Sequence, residues 1–309
     1  MSGGDIMSIV PTDGPMTPAL ADSLVERLAA EYPFLRVEEL ASTAGGRPIR
    51  AVTVGEGERR VLYSAAHHAN EWLTATVLLK FIEDYAEAIR TGGTIGSVSA
   101  EELSRTAAIS LVPMVNPAGV ALVTGTATPE EVAQAQELSR FYPAIPFPEG
   151  WKANLQGVDL YEQYPAGWLQ AREIKFSQGY TRPGPRDFVG RFPLSQPEVQ
   201  ALYDYAERID PYIVIAWHSQ GEVIYWQYGG IVVPGARELA AQFSEGSGYA
   251  LEDTPYASSF AGYKDWFIQR YRRPGFTIEV GTGENPLPIS QFDAIYTASL
   301  PILVTGAVP

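Results

Sequence analysis

Two short motifs contain all three histidines of the chain and could form a metal site. His67 and His68 belong to SAAHHANEW, in which Glu71 follows His68 by three residues, and His218 belongs to IAWHSQGE. A His and a Glu at this spacing can face one centre across a strand-to-helix turn, and a third ligand from a distant strand leaves zinc an open position for water. The spacing alone is also typical of ordinary polar residues at strand ends, so the hypothesis depends on all three ligands together.

The chain has no cysteine, which excludes thiolate ligands, disulfides and a cysteine nucleophile. Any metal must be held by His, Asp or Glu, and we predict that His68, Glu71 and His218 hold it. Zinc suits these ligands, and manganese or cobalt would accept the same set. Adjacent residues on an extended strand point to opposite faces, so we exclude His67 from the metal site and expect it to be a hydrogen-bonded structural histidine.

The elements that must position these residues follow from the apolar periodicity. Apolar runs rich in β-branched residues predict strands at Pro48–Val54, Arg60–Ala65, Ala107–Val115, Tyr212–Trp217, Val223–Gln227 and Phe276–Val280. Helical patterns lie between them at Pro18–Glu31, Glu71–Arg90, Pro129–Arg140, Gln196–Ile209, Gly235–Ser247 and Tyr263–Arg270. This alternation predicts an α/β fold with a mixed, mostly parallel central sheet flanked by helices on both faces.

In such folds the ligand site lies outside the carboxyl ends of the strands. The histidine motifs and Glu279 all lie at the ends of apolar runs, so we expect them to meet there. The stretch Phe141–Gly190 is rich in Pro, Gly, Tyr and Trp and has little periodicity. Long irregular segments of this kind are usually functional, and we predict that it shapes a substrate cleft.

Composition excludes several classes of function. The net charge of -14 repels phosphate backbones and anionic lipid surfaces, so we expect no nucleic-acid partner. No apolar stretch approaches the roughly 18 to 20 residues of a membrane-spanning helix, so we expect no membrane insertion. The start, MSGGDIMSIV, lacks the pattern of a secretion signal. We therefore expect a soluble protein, cytoplasmic as the sequence stands, whereas an extracellular or cell-wall location would require a signal that was removed.

Taken together, these motifs resemble the zinc carboxypeptidase family. The family signature is His-x-x-Glu followed by Trp, a distant His-Ser, and a Phe-Thr-x-Glu strand, and all three occur here in order between about Gly45 and Gln291. The resemblance implies one zinc ion, with His68, Glu71 and His218 as ligands and Glu279 as the general base.

Further positions of the family motif can be matched. By this resemblance Asp159 of Gly-Val-Asp is the hydrogen-bond partner of His68, although an Asp in such a loop is as often a turn residue. Lys152 stands where the family has an oxyanion-stabilising Arg, against the alternative of a solvated surface lysine. Tyr256 corresponds loosely to the phenolic tyrosine of the family. Tyr161 and Glu162 replace the Asn-Arg pair that binds a C-terminal carboxylate, which argues against ordinary carboxypeptidase activity.

Three longer motifs are WKANLQGVDL (Trp151–Leu160), HSQGEVIYW (His218–Trp226) and FTIEVGTGENPLPISQF (Phe276–Phe292). They are similar to one branch of the family, the bacterial γ-D-glutamyl-diamino acid endopeptidases. These cut peptidoglycan stem peptides between γ-D-glutamate and meso-diaminopimelate or lysine, so the resemblance implies a stem peptide or muropeptide as substrate. Glu162 and Glu222 are candidates to bind the ammonium of the diamino acid, and Arg182, Arg186 or Arg191 to bind the free carboxylates of D-Glu or diaminopimelate. The LysM wall-binding repeats that members often carry are not found, and we expect one catalytic domain over residues 1–309.

Two alternatives remain at this point. A conventional metallocarboxypeptidase is disfavoured by Glu162, and a non-catalytic muropeptide-binding protein is disfavoured because the ligands and the base are all present. A serine hydrolase is disfavoured too, since the chain has no Gly-x-Ser-x-Gly motif.

Overall fold

A computed structural model describes residues 8–43 and 45–308 of the chain. Part of the N-terminal stretch from which we inferred the lack of a secretion signal, residues 1–7, lies outside the described residues. The strands are β1 (Arg36–Ser42), β2 (Pro48–Val54), β3 (Arg59–Ala65), β4 (Thr94–Ile95), β5 (Val98–Ser99), β6 (Ala107–Val112), β7 (Ile213–His218), β8 (Val223–Tyr225), β9 (Ala250–Glu252) and β10 (Gly275–Glu279). The α-helices are α1 (Pro18–Glu31), α2 (Leu73–Thr91), α3 (Ala100–Thr106), α4 (Pro117–Val123), α5 (Pro129–Ser139), α6 (Trp168–Ser177), α7 (Pro197–Ile209), α8 (Ala236–Ser247), α9 (Tyr263–Tyr271) and α10 (Phe292–Ala307).

Eight of the strands form one sheet in the order β1-β2-β6-β3-β7-β10-β8-β9, while β4 and β5 pair separately. The central strands β6, β3, β7 and β10 are parallel to one another. Antiparallel pairs join β1 to β2, β2 to β6 and β10 to β8. The predicted fold class, an α/β fold with a mixed, mostly parallel sheet, is therefore confirmed.

Strand β7 shows why helices must cover both faces of this sheet. All six of its residues are buried. Ile213, Ile215 and Trp217 pack into a core with helices α2 and α10, whereas Val214 and Ala216 pack into a second core with α7 and α9. Because side chains of a strand alternate between the two faces, a fully apolar strand requires an apolar partner on each side.

Local signals account for where the predicted helices begin. Helix α1 has the predicted bounds, with Thr17 accepting a hydrogen bond from the Leu20 amide at 3.2 Å and Pro18 in the first turn. Helix α5 begins with a capping box formed by Thr128 and Glu131.

The start of helix α2 differs from the prediction. Glu71 does not open this helix but ends a short 3₁₀ turn, Ala69–Glu71, and the α-helix begins at Leu73. The Thr74 hydroxyl donates to the Glu71 carbonyl at 2.7 Å and accepts from the Ala66 amide at 3.0 Å. The Thr74 hydroxyl thus pairs with the Ala66 amide and the Glu71 carbonyl, and it fixes the turn that carries Glu71.

Some elements were not predicted from periodicity. Helix α6 lies inside the segment Phe141–Gly190, and helix α10 follows the last predicted strand. Strand β6 ends at Val112, before Pro113, which has no N–H to continue the ladder. Within residues 8–43 and 45–308, none of the helices combines the length and apolarity of a membrane span.

The register of the central strands brings the predicted site residues to one edge of the sheet. Ala65 of β3 lies opposite Trp217 of β7, and His218 lies opposite Glu279 of β10. Because these strands are parallel, their carboxyl ends open toward the same side.

Candidate active site

Three side chains converge at the carboxyl edge of the sheet. The Nδ1 atom of His68 lies 2.8 Å from Oε1 of Glu71, and Nδ1 of His218 lies 2.9 Å from Oε2 of the same carboxylate. One potential ligand atom from each of the three residues lies within 4.8 Å of the other two. The structure thus brings together the three residues that the sequence motifs indicated as metal ligands.

The chemistry of these donors fits a divalent cation. Glu71 is buried, and although burial raises the pKa of its carboxyl, His68 and Lys152 hold that pKa well below its usual range. Burial lowers the pKa of the His68 imidazole, but Glu71 and Asp159 outweigh this effect and raise it to about 9. Both shifts show that the site stabilises positive charge. Two imidazoles and one carboxylate in such a site suit zinc.

Asp159 fixes the orientation of the His68 ring. Its Oδ1 lies 3.2 Å from Nε2 of His68, and its Oδ2 accepts from the amide of Asp187 at 3.0 Å. Although burial raises the pKa of the Asp159 carboxyl, His68 holds it far below its usual range, so Asp159 is an acceptor. The Nε2 atom of His68 therefore donates to Asp159, which leaves Nδ1 as the nitrogen that faces Glu71 and would bind a metal in place of its proton.

Glu279 and Lys152 lie beside this centre and line the same cavity. Burial, together with the nearby Glu71 carboxylate, raises the pKa of Glu279 to about 8. The Nζ atom of Lys152 lies 3.3 Å from Oε1 of Glu71, so the positive charge of Lys152 is directed at the ligand cluster and not at bulk solvent. The pair offers a proton acceptor and a fixed cation at one centre.

The cavity that opens over this centre has a volume of about 190 Å³. Its wall includes residues from the strand ends and residues from the segment 141–190, which supplies the side chains Lys152, Asp159, Tyr161, Glu162, Lys175, Arg186 and Asp187. The irregular segment thus shapes the cleft, with helix α6 contributing one of its charged residues.

Ion pairs link four of these side chains. The Nζ atom of Lys175 lies 3.0 Å from Oε1 of Glu162 and 2.6 Å from Oδ1 of Asp187, and Nε of Arg186 lies 2.7 Å from Oδ2 of Asp187. Burial raises the pKa of Glu162 to about 8, although Lys175 opposes this shift. We call Glu162, Lys175, Asp187 and Arg186 the charged quartet.

Two predicted residues, Glu222 and Tyr256, lie elsewhere. Glu222 is exposed and does not line the cavity, and its φ of 55° turns the chain after β7. The side chain of Tyr256 is 67% exposed and its hydroxyl accepts from Nε2 of Gln170 at 3.0 Å, while its neighbour Pro255 lines the cavity. The structure does not bring Glu222 or Tyr256 into contact with the metal ligands.

His67 has the buried position that was expected but not the expected hydrogen bonds. Its ring stacks on that of His218, with centroids 5.4 Å apart, and meets Tyr161 edge-on at 5.1 Å. Neither ring nitrogen has a hydrogen-bond partner within the described part of the chain, so the prediction of a hydrogen-bonded histidine is wrong. His67 supports His218 by packing.

Sequence reasoning missed three residues of the site. Lys175 is a single lysine on helix α6, with no motif to single it out, and its partner Asp187 lies in the following loop. Asn116 is the N-cap residue of helix α4, and its Nδ2 donates to the carbonyls of His67 at 3.1 Å and Ala153 at 3.0 Å. Asn116 thereby ties the turn that carries the histidines to the loop that carries Lys152.

Known proteins resemble this chain in sequence and in fold. It is 41% identical over 282 residues to γ-D-glutamyl-L-diamino acid endopeptidase 1 of Lysinibacillus sphaericus, covering 91% of this chain and 69% of that protein. Its fold is similar to that of thrombin-activatable fibrinolysis inhibitor (TM-score 0.75, 16% identity, 98% of this chain and 76% of that chain). It is similar as well to the fold of carboxypeptidase A from Helicoverpa armigera (TM-score 0.72, 18% identity, 96% of this chain and 74% of that chain).

Residues 21–301 match the family model described as zinc carboxypeptidase. That match spans the sheet, the ligand cluster and Glu279. The chain therefore belongs to the zinc carboxypeptidase family and is a zinc-dependent peptidase.

Proposed function

We propose that this peptidase hydrolyses the γ-D-glutamyl-diamino acid bond of peptidoglycan stem peptides or muropeptides. The observation that carries the proposal is the ion pair between Glu162 and Lys175 in the wall of the catalytic cavity. A carboxylate at this position receives an ammonium better than it receives the terminal carboxylate of an ordinary peptide. The 41% identity to an enzyme named for γ-D-glutamyl-L-diamino acids supports the same substrate class.

We propose that His68, Glu71 and His218 hold the zinc ion. When bound, zinc polarises the scissile carbonyl and lowers the pKa of a water molecule to about 7. Glu279, whose raised pKa suits proton exchange near neutral pH, takes a proton from the attacking water on its carboxylate. It then returns this proton to the nitrogen of the departing amine.

Two further residues complete the proposed mechanism. Lys152 directs its ammonium toward the reacting carbonyl oxygen, where negative charge develops, and its 3.3 Å approach to Glu71 supports this role. Asp159 keeps the Nε2 proton of His68 in place, so that Nδ1 of His68 remains a metal ligand. We further propose that the chain acts as one catalytic domain, since its matched residues 21–301 include every residue named here.

The experiment is a parallel digestion of L-Ala-γ-D-Glu-meso-diaminopimelate and a hippuryl substrate with a free C-terminal amino acid, with and without chelator. The proposal predicts chelator-sensitive release of L-Ala-D-Glu, identified by mass spectrometry, and an intact hippuryl substrate. Cleavage of the hippuryl substrate alone would overturn it.

One observation favours a second candidate function. Lys175 and Arg186 are both cationic and both line the cavity, so a C-terminal carboxylate could still be bound there, as in a conventional metallocarboxypeptidase. The digestion distinguishes the two activities. A muropeptide-binding protein without activity is the third outcome, and it would bind the stem peptide without releasing product.

A further inference from the structure

With Glu162 ionised, the charged quartet has alternating signs and no net charge. Glu162 pairs with Lys175, Lys175 with Asp187, and Asp187 with Arg186. A pocket selected for a lone ammonium should carry a surplus of negative charge. A pocket whose charges cancel is complementary to a ligand group that itself carries both signs.

Glu162 has one carboxylate oxygen without a partner. Oε1 is bound by Lys175, while Oε2 is buried and accepts no hydrogen bond from the described residues. A buried carboxylate oxygen without a donor is costly, and the residue lines the cavity at only 9% exposure. The vacant oxygen therefore favours a ligand that brings an N–H donor.

Arg186 offers the complementary group. Its Nε is bound to Asp187, and among residues 8–43 and 45–308 no carboxylate or carbonyl binds its two terminal nitrogens. The side chain is 38% exposed and lines the cavity, whereas Arg182 and Arg191 do not. A guanidinium anchored at Nε presents its remaining edge to a carboxylate.

Lys175 holds the two acids of the quartet. It is 5% exposed and bridges Glu162 and Asp187, which otherwise would face each other as like charges in a buried wall. Lys175 is therefore a positioning residue, which fixes Glu162 directly and Arg186 through Asp187.

We propose that the charged quartet is a receptor for a side chain that ends in an ammonium and a carboxylate on one carbon, with Oε2 of Glu162 accepting from the ammonium and Arg186 donating to the carboxylate. This inference rests on the proposed function. It makes diaminopimelate the preferred diamino acid over lysine, whose side chain ends in an ammonium alone.

The test compares kcat/KM for two substrates, L-Ala-γ-D-Glu-meso-diaminopimelate and L-Ala-γ-D-Glu-L-Lys, which differ in that carboxylate. The native chain should prefer the first by roughly 10- to 100-fold, the range for one hydrogen bond between charged groups. Arg186→Gln should abolish the preference by slowing only the diaminopimelate substrate. Glu162→Gln should raise KM for both substrates. Arg172→Gln, at an exposed arginine of helix α6 that does not line the cavity, is the matched control and should leave kcat/KM for both substrates unchanged.

Two variants of Lys175 test its positioning role. Lys175→Arg keeps the bridging charge and should retain most of the preference, whereas Lys175→Met should lose it through KM with kcat preserved. Bound zinc, measured for every variant, shows that the catalytic centre is still formed. A loss of kcat with an unchanged substrate preference in Lys175→Met would overturn its role.

Equal kcat/KM for the two substrates in the native chain, or an unaltered preference in Arg186→Gln, would overturn the inference. Chelator-sensitive release of L-Ala-D-Glu would in that case still support the proposed function. Failure to cleave either substrate would instead overturn the proposed function itself.

Discussion

The Nδ1 atoms of His68 and His218 lie 3.2 Å apart, and each faces one oxygen of the Glu71 carboxylate. Two imidazole nitrogens gain nothing from facing each other at this distance unless a proton or a metal cation lies between them, because only a cation is attracted to both. Asp159 accepts from the far nitrogen of His68, which makes Nδ1 the nitrogen that would bind a metal. The arrangement is that of a zinc site.

Replacing Asp159 with Asn should weaken zinc binding without removing a ligand. We expect the zinc affinity to fall by about 10- to 100-fold, because the amide is a poorer acceptor for the His68 proton. Competition with a chromophoric chelator measures the affinity, and Asp204→Asn, on the exposed face of α7, is the control. Equal affinities of the two variants would show that Asp159 does not support the site.

Glu279→Gln should separate catalysis from metal binding. We expect kcat to fall by about 10²- to 10⁴-fold, because the amide cannot accept the proton of water. The bound zinc should remain, since Glu279 is not one of the three clustered ligands. Near-native kcat in a zinc-loaded variant would rule out Glu279 as the general base.

Lys152→Met should act mainly on kcat. Because the lysine charge is assigned to the developing oxyanion, we expect a loss of about 10²- to 10³-fold in kcat with a smaller change in KM. Lys152→Arg restores the charge and should recover part of the rate. A variant that changes only KM would assign Lys152 to substrate binding.

The buried carboxyl of Glu162 should make substrate preference depend on pH. Burial raises its pKa to about 8, so the group is fully charged only above that pH, whereas the substrate ammonium stays mostly protonated to about pH 9. The ratio of kcat/KM for diaminopimelate over a norleucine analogue should therefore rise between about pH 6.5 and pH 9. Taking the ratio cancels the titration of Glu279, which both substrates share. The same ratio in Glu162→Gln should be flat, and a rise that persists there would assign the effect to another group.

Asn116→Ala tests the tie between the two loops of the site. The fully buried side chain donates to the carbonyls of His67 and Ala153 and accepts from the Gly119 amide at 3.0 Å. We expect the free energy of unfolding to fall by about 2 to 5 kcal/mol, because several buried backbone groups lose their partner. Urea unfolding measures it, and a loss below about 0.5 kcal/mol would contradict the assigned role.

The parts of the site that the sequence predicted are those that follow from local motifs and strand ends. His68, Glu71, His218 and Glu279 each follow or end an apolar run, and parallel pairing of β3, β7 and β10 brings such ends together. The core strands were predicted for the same reason, since fully buried parallel strands have continuous apolar sequences.

The parts that were missed depend on contacts between segments without periodicity. The pairing of Lys175 with Glu162 and Asp187 requires helix α6 to dock against two loops, and none of these residues carries a motif. Glu222 was predicted to bind the ammonium of the diamino acid in the cleft. Its left-handed backbone, with φ of 55°, reverses the chain instead and leaves the side chain in solvent.

The most direct test of the account is a zinc titration of the metal-free chain, with release of L-Ala-D-Glu from L-Ala-γ-D-Glu-meso-diaminopimelate as the readout. We expect no release without metal, and a rate that rises in proportion to added zinc and levels off at about one equivalent per chain. Release by the metal-free chain, or cleavage at a bond other than the γ-D-glutamyl one, would contradict it.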